Sequence, residues 1–126
     1  MKTKRLLTVL LTVALAVVLL AVGVSAAEIV DSGNCGDNVT WTLDSEGTLT
    51  ISGTGTIDDA PWKSVSDDVK QVVIENGVSG IGESAFSNCE NLTGIDIPAS
   101  VTSIGDYAFY CCTSLTNITL PEGVTH

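Results

Sequence analysis

The stretch Ile81-Gly82-Glu83-Ser84-Ala85-Phe86-Ser87-Asn88-Cys89-Glu90-Asn91-Leu92-Thr93-Gly94-Ile95-Asp96-Ile97-Pro98 decides how this chain folds, because its pattern comes back from Ile104 to Pro121. Ile81, Gly82, Ala85, Phe86, Cys89, Leu92, Ile95 and Pro98 recur as Ile104, Gly105, Ala108, Phe109, Cys112, Leu115, Ile118 and Pro121, all at a constant offset of 23. Val78 likewise recurs as Val101 and Val101 as Val124, while Ile97 returns as Leu120. One period earlier, Val69, Val72 and Ile74 stand where Leu92, Ile95 and Ile97 will stand. The chain therefore holds two full repeats after a half repeat that lacks the Ala-Phe-Cys part. A fixed period of this size with regularly placed aliphatic residues signals stacked coils, each burying its apolar side only against its neighbours.

Spacing within the repeat says which way each residue faces. Ile95 and Ile97 alternate with Gly94 and Asp96 as in a strand, the isoleucines inward. Pro98 ends that strand by removing a ladder donor. Val101 to Ile104 alternates again and predicts a second short strand or extended turn. Asp106 is expected to cap one or two helical turns that bring Ala108, Phe109 and Cys112 inward. Stacking then lays Phe86 on Phe109. Truncating either ring to Ala is expected to cost about 3 to 5 kcal/mol. The expected architecture is a solenoid.

The pattern Ile-Gly-x-x-Ala-Phe-x-x-Cys-x-x-Leu-x-x-Ile-x-Ile-Pro-x-x-Val resembles the BspA-like, Treponema-type leucine-rich repeat of bacterial surface proteins. The resemblance covers about Val69 to His126. The preceding run from Cys35 to Gly55, with Trp41, Gly47 and Ile51, resembles the region that often precedes such repeats. The resemblance implies an α/β leucine-rich-repeat solenoid, mostly β. The implied solenoid curves right-handed, with a parallel sheet on one side and short helical turns on the other. It also implies a role in surface attachment or recognition, without naming a ligand.

Residues 27–68 have a different texture. Val39-Thr-Trp41-Thr-Leu43 and Thr48-Leu49-Thr-Ile51 alternate on either side of Asp44-Ser45-Glu46-Gly47, which predicts a β-hairpin. Val39, Trp41, Leu43, Leu49 and Ile51 form its buried side. A repeat array needs its open end covered, and this hairpin is the expected N-terminal cap, with Trp41 and Trp62 supplying apolar area. The expected divisions are thus a signal peptide at 1–26, a β cap at 27–68 and leucine-rich repeats at 69–126.

The leader rests on Lys2, Lys4 and Arg5, an apolar run from Leu6 to Val22, and small residues that place cleavage after Ala26, with Ala27 as the second choice. The alternative is an uncleaved anchor, since residues 6–24 are nearly long enough to cross a bilayer. All fifteen acidic residues follow the leader and face only Lys63 and Lys70, leaving the mature part near −13. Such a surface repels phosphate backbones and anionic headgroups, which excludes nucleic acid and, beyond the signal peptide, membrane as partners.

Little in the chain supports catalysis or a cofactor. His126 is the single histidine and the last residue given, so no Ser-His-Asp set and no histidine metal cluster can be built. Asp58-Asp59 and Asp67-Asp68 lie outside any calcium-loop pattern and read as solvated pairs. No metal site and no cofactor is expected. Cys89 and Cys112 share a repeat position and should stack one coil apart. That leaves a disulfide between coils or two buried thiols; the resemblance favours thiols as core fillers. Cys111, whose counterpart is Asn88, should face outward or sit at a coil edge.

The candidate binding residues are the outward sheet positions. The period aligns Gln71, Gly94 and Asn117 in one row, and Val73, Asp96 and Thr119 in the next. Three strands at ~4.8 Å spacing give a face of about 250 Å², against about 800 Å² per partner in a standard interface. Binding is therefore expected to need more repeats. The chain stops where the next Ile-Gly-x-x-Ala-Phe would begin, so it is expected to be the N-terminal part of a longer protein. The functional expectation is a secreted or cell-surface, non-catalytic protein for adhesion or recognition of extracellular proteins or glycans. Self-association through the last coil is a further expectation. The alternative is a spacer, or the accessory domain of a larger cell-wall-associated protein or enzyme.

Overall fold

Alternation of apolar and polar residues is what the backbone turns into strands. A computed structural model describes residues 27–116 and 118–124. The expected leader, Asn117 and His126 lie outside these described residues. The strands are β1 (Ile29–Gly36), β2 (Val39–Asp44), β3 (Thr48–Gly53), β4 (Gly55–Ile57), β5 (Gln71–Ile74), β6 (Val78–Ile81), β7 (Gly94–Asp96) and β8 (Ser103–Ile104). They form a five-stranded sheet in the order β1-β2-β3-β5-β7 and a three-stranded sheet in the order β4-β6-β8.

The first half of the larger sheet is antiparallel. β2 and β3 pair as the expected hairpin, with Trp41 opposite Ile51 and Leu43 opposite Leu49. Its turn is held by Asp44, whose Oδ1 accepts the backbone N–H groups of Glu46 (2.9 Å) and Thr48 (3.0 Å). Gly47 takes a left-handed φ of 90° there, a conformation that side chains resist. β1 lies antiparallel on the outer side of β2, and its register slips between Ile29 and Asp31 and between Asn34 and Gly36.

From β3 onward the pairing is parallel and follows the repeat. Leu49, Val72 and Ile95 are successive partners, as are Thr48, Gln71 and Gly94. In the smaller sheet Ile57 pairs with Ile81 and Ile81 with Ile104. The inward residues meet in one apolar core that includes Leu49, Ile51, Trp62, Val69, Val72, Val78, Phe86, Leu92 and Val101, all fully buried, with Trp41 and Ile95 at its margin.

The turn side departs from expectation. Residues 83–88 and 106–111 are successive turns, not helix, so Asp106 caps nothing helical. Alternate N–H groups leave the segment: Ser84, Phe86 and Asn88 donate to the carbonyls of Asp106, Ala108 and Tyr110 on the next coil at 2.9, 2.8 and 2.7 Å. Ala85, Ser87 and Cys89, between and after them, close turns onto Gly82, Ser84 and Phe86. An α-helix needs every one of these donors for its own fourth-preceding carbonyl, and here half are spent on the neighbouring coil. The helical element among the described residues is a 3-10 segment, Pro61–Asp68, broken at Val65 (φ −122°, ψ 24°).

Trp62 has a larger part than cover. Its ring stacks on Phe86 (centroids 5.5 Å, 14° between planes), and Phe86 stacks in turn on Phe109 (5.7 Å, 12°) as expected. Its indole N–H donates to the Ala85 carbonyl at 2.8 Å. Trp41 meets Trp62 edge-on at 5.7 Å, so the hairpin and the stacked rings share one aromatic column.

Candidate functional site

The outward side of the larger sheet is built by the polar members of the same alternation that buries Leu49, Ile51, Val72, Ile74 and Ile95. The structure brings four of the six expected residues together: Gln71 pairs with Gly94, and Val73 with Asp96. Thr119 is exposed but belongs to no strand, and Asn117 lies outside the described residues. The rows run further the other way. Thr48 pairs with Gln71 and Thr50 with Val73; across the hairpin Thr42 faces Thr50 and Thr40 faces Ser52. These hydroxyl residues were missed because Thr48–Ile51 reads as a hairpin strand. A signal existed, since Leu49 and Ile51 precede Val72 and Ile74 by one full repeat period.

The face is shallow and polar. A side chain at Gly94 would begin 2.8 Å from Gln71 Oε1 and 3.3 Å from its Nε2, so the bare glycine leaves room for the glutamine amide to lie across β7. Threonine hydroxyls, that amide and the exposed Asp96 carboxylate offer hydrogen-bond donors and acceptors across the face. Five strands at ~4.8 Å spacing and ~17 Å length make about 400 Å². This exceeds the three-strand expectation and is about half of a standard partner surface.

Other groups that could carry chemistry are dispersed. Among the described residues no three His, Cys, Asp or Glu side chains are grouped to hold a metal. Asp58 accepts from the Thr56 hydroxyl and Asp59 from the Ala60 N–H, both local contacts. All four cysteines are free thiols. Cys112, half-buried, donates its S–H to the Phe86 carbonyl at 3.0 Å, and Cys111 is exposed as expected. Burial pushes the Cys89 thiol up to about 12, helped by the like charge of Cys112. A hollow of about 360 Å³ lies over the smaller sheet, between Thr56, Asp58, Gly80, Glu83 and Ser103, and it too lacks a histidine or thiol.

Comparison with known proteins bears on the repeat. A family model described as BspA type Leucine rich repeat region (6 copies) matches residues 56–126, starting at Thr56 of β4 and so ahead of Val69. A crystal structure of a leucine-rich repeat protein from Eubacterium ventriosum is similar at 35% identity and a TM-score of 0.60, over 63% of this chain. The matched part is 23% of that protein, so the present chain corresponds to about a quarter of its length. No curated protein matches.

Proposed function

The chain belongs to the BspA-type leucine-rich-repeat family, and from that membership we propose that it is a secreted or cell-surface, non-catalytic binding protein. Its coils form a solenoid whose first turn is covered by the β1–β3 segment, and its parallel sheet faces an extracellular protein or glycan. One observation carries this reading: the outward rows from Thr42 and Thr50 through Val73 to Asp96 are continuous across antiparallel and parallel pairings alike. Stacked repeats use such unbroken sheet faces to build extended contact surfaces. Export rests on the leader, and among the described residues no helix is long and apolar enough to cross a membrane.

The test is binding to arrays of purified extracellular proteins and glycans, with Thr50→Arg and Asp96→Arg as probes of the face. Both side chains point away from the core, so the melting temperature should hold while binding falls at least about tenfold, the effect of like charge or bulk placed at a contact. Unchanged binding by both variants would sink the sheet-face assignment. Secretion is read from the mature protein, whose first residue should be Ala27.

A second reading is favoured by the small face: these coils are a spacer or accessory part of a larger cell-wall-associated protein or enzyme, and recognition lies elsewhere. Ile118 and Leu120, 40% and 50% exposed, support a further contact at the last coil, with more repeats or a second copy.

A further inference from the structure

Three exchanges set the two coils apart on the turn side, beside the milder Glu83/Asp106, Glu90/Thr113 and Asn91/Ser114. Tyr107 stands where the preceding coil has Ser84, Tyr110 where it has Ser87, and Cys111 where it has Asn88. The backbone is nearly the same in both: φ is 57° at Ser84 and 58° at Tyr107, 63° at Asn88 and 61° at Cys111. This left-handed conformation suits small or amide residues and is unfavourable for a bulky ring. Packing does not account for the exchange either, because Tyr107 is 66% and Tyr110 58% exposed. Trp41, Trp62 and Phe86 are buried and Phe109 packs against the core, so these are the two rings turned to solvent among the described residues. They meet edge to face, centroids 5.7 Å apart and planes at 86°, a preformed pair.

We propose that Tyr107 and Tyr110 form a second binding site, distinct from the sheet face, that takes arginine side chains of a basic protein segment. Charge selects that occupant. Asp106 immediately precedes Tyr107, and the exposed Glu83 lies on the adjoining coil, where its backbone N is 2.6 Å from the position a Gly105 side chain would take. The nearby cation, Lys63, is engaged: its Nζ donates to the Ser84 carbonyl and the Ser87 hydroxyl, both at 2.9 Å. The rest of the surface is strongly acidic, with fifteen carboxylates in the chain, and steers cations toward it. A guanidinium stacks on a tyrosine face while its N–H fork reaches a carboxylate, which an ammonium does less well. A neutral sugar would gain nothing from this field.

The test titrates the whole mature chain with fluorescein-labelled octa-arginine and octa-lysine peptides. Tyr107→Ser and Tyr110→Ser restore the residues of the preceding coil and leave net charge unchanged. Octa-arginine should bind more tightly than octa-lysine, and each substitution should weaken arginine binding about two- to fivefold, leaving lysine binding as it was. Tyr107→Phe and Tyr110→Phe keep the rings and should retain the preference, which separates loss of the site from loss of the fold. Equal affinity of native protein and the double serine variant for octa-arginine would mean charge alone binds, and the site is refuted. So would a neutral oligosaccharide whose binding, and not that of octa-arginine, the serine substitutions abolish. Asp96→Arg should leave the arginine preference intact, so this site stands or falls apart from the sheet face.

Discussion

Burial holds the Cys35 thiol up to about 11, with the carboxylates of Asp58 and Asp59 adding to the shift, and holds Cys89 near 12. Cys112 is also raised, mainly by burial. A thiol that is neither exposed nor ionised is a poor nucleophile. In native protein at pH 8, iodoacetamide should therefore modify the exposed Cys111 first and leave Cys35 and Cys89 intact until the chain unfolds, as peptide mass mapping would read. Labelling of Cys89 as fast as Cys111 would contradict its burial. The same shifts set an alkaline limit. Above the ordinary thiol value near 9 the unfolded chain releases protons that folded Cys35 and Cys89 retain, so stability falls as pH rises from about 9 toward 11 and 12. Below 9 these groups contribute no slope. Urea midpoints at pH 8, 9.5 and 10.5 should decline in that order, and substituting Cys35 and Cys89 by Ala should flatten the decline.

The hairpin shows what one side chain does for an element. Asp44 Oδ1 closes the turn by accepting two backbone donors, Glu46 N–H and Thr48 N–H. Replacing Asp44 by Ala should cost about 1 to 2 kcal/mol, seen as a lower urea midpoint with unchanged slope. Asp44→Asn keeps an acceptor oxygen and should lose less. Strands of this kind were legible because period-two burial is local: Val39, Trp41 and Leu43 alternate with Thr40 and Thr42 in the sequence and in the burial alike. The turn segments were not. Ala108, Phe109 and Cys112 have helical spacing, yet the donors of the equivalent turn, Ser84, Phe86 and Asn88, go to another coil. No local pattern announces a partner a whole coil away.

At the scale of the whole molecule the aromatic column ties the hairpin to the coils. Phe86 is fully buried between Trp62 and Phe109, whereas Phe109 is half-buried with one ring face unstacked in the described residues. The equal costs expected from the repeat alone should therefore separate: about 3 to 5 kcal/mol for Phe86→Ala, and roughly half for Phe109→Ala, because burial scales the lost transfer energy. Trp62→Ala should fall with Phe86→Ala, and the two should be non-additive, since each removes the other's stacking partner. Urea denaturation of the single and double variants measures all three. Additive losses would mean that the rings do not act as one column.

By itself the sequence determined the period, the columns of buried aliphatic residues, the inward phenylalanines and the acidic surface. All of these follow from side-chain polarity repeated at a constant interval, and polarity is a property of the residue before any fold exists. Tertiary structure decided at which strand parallel pairing starts and which residues stand beside one another across it. β3 enters the parallel sheet at the same step as β5 and β7, but only two apolar residues mark it. Trp62 reaches the ring column through β4, whose register to β6 slips between Gly55 and Thr56. Ile57 therefore meets Ile81, one position beyond the Gly80 that the constant offset would assign to it. Such a slip hides the tryptophan from any comparison at constant offset, while packing absorbs it without loss, because a bulge moves one unpaired residue and leaves the next side chain facing the core.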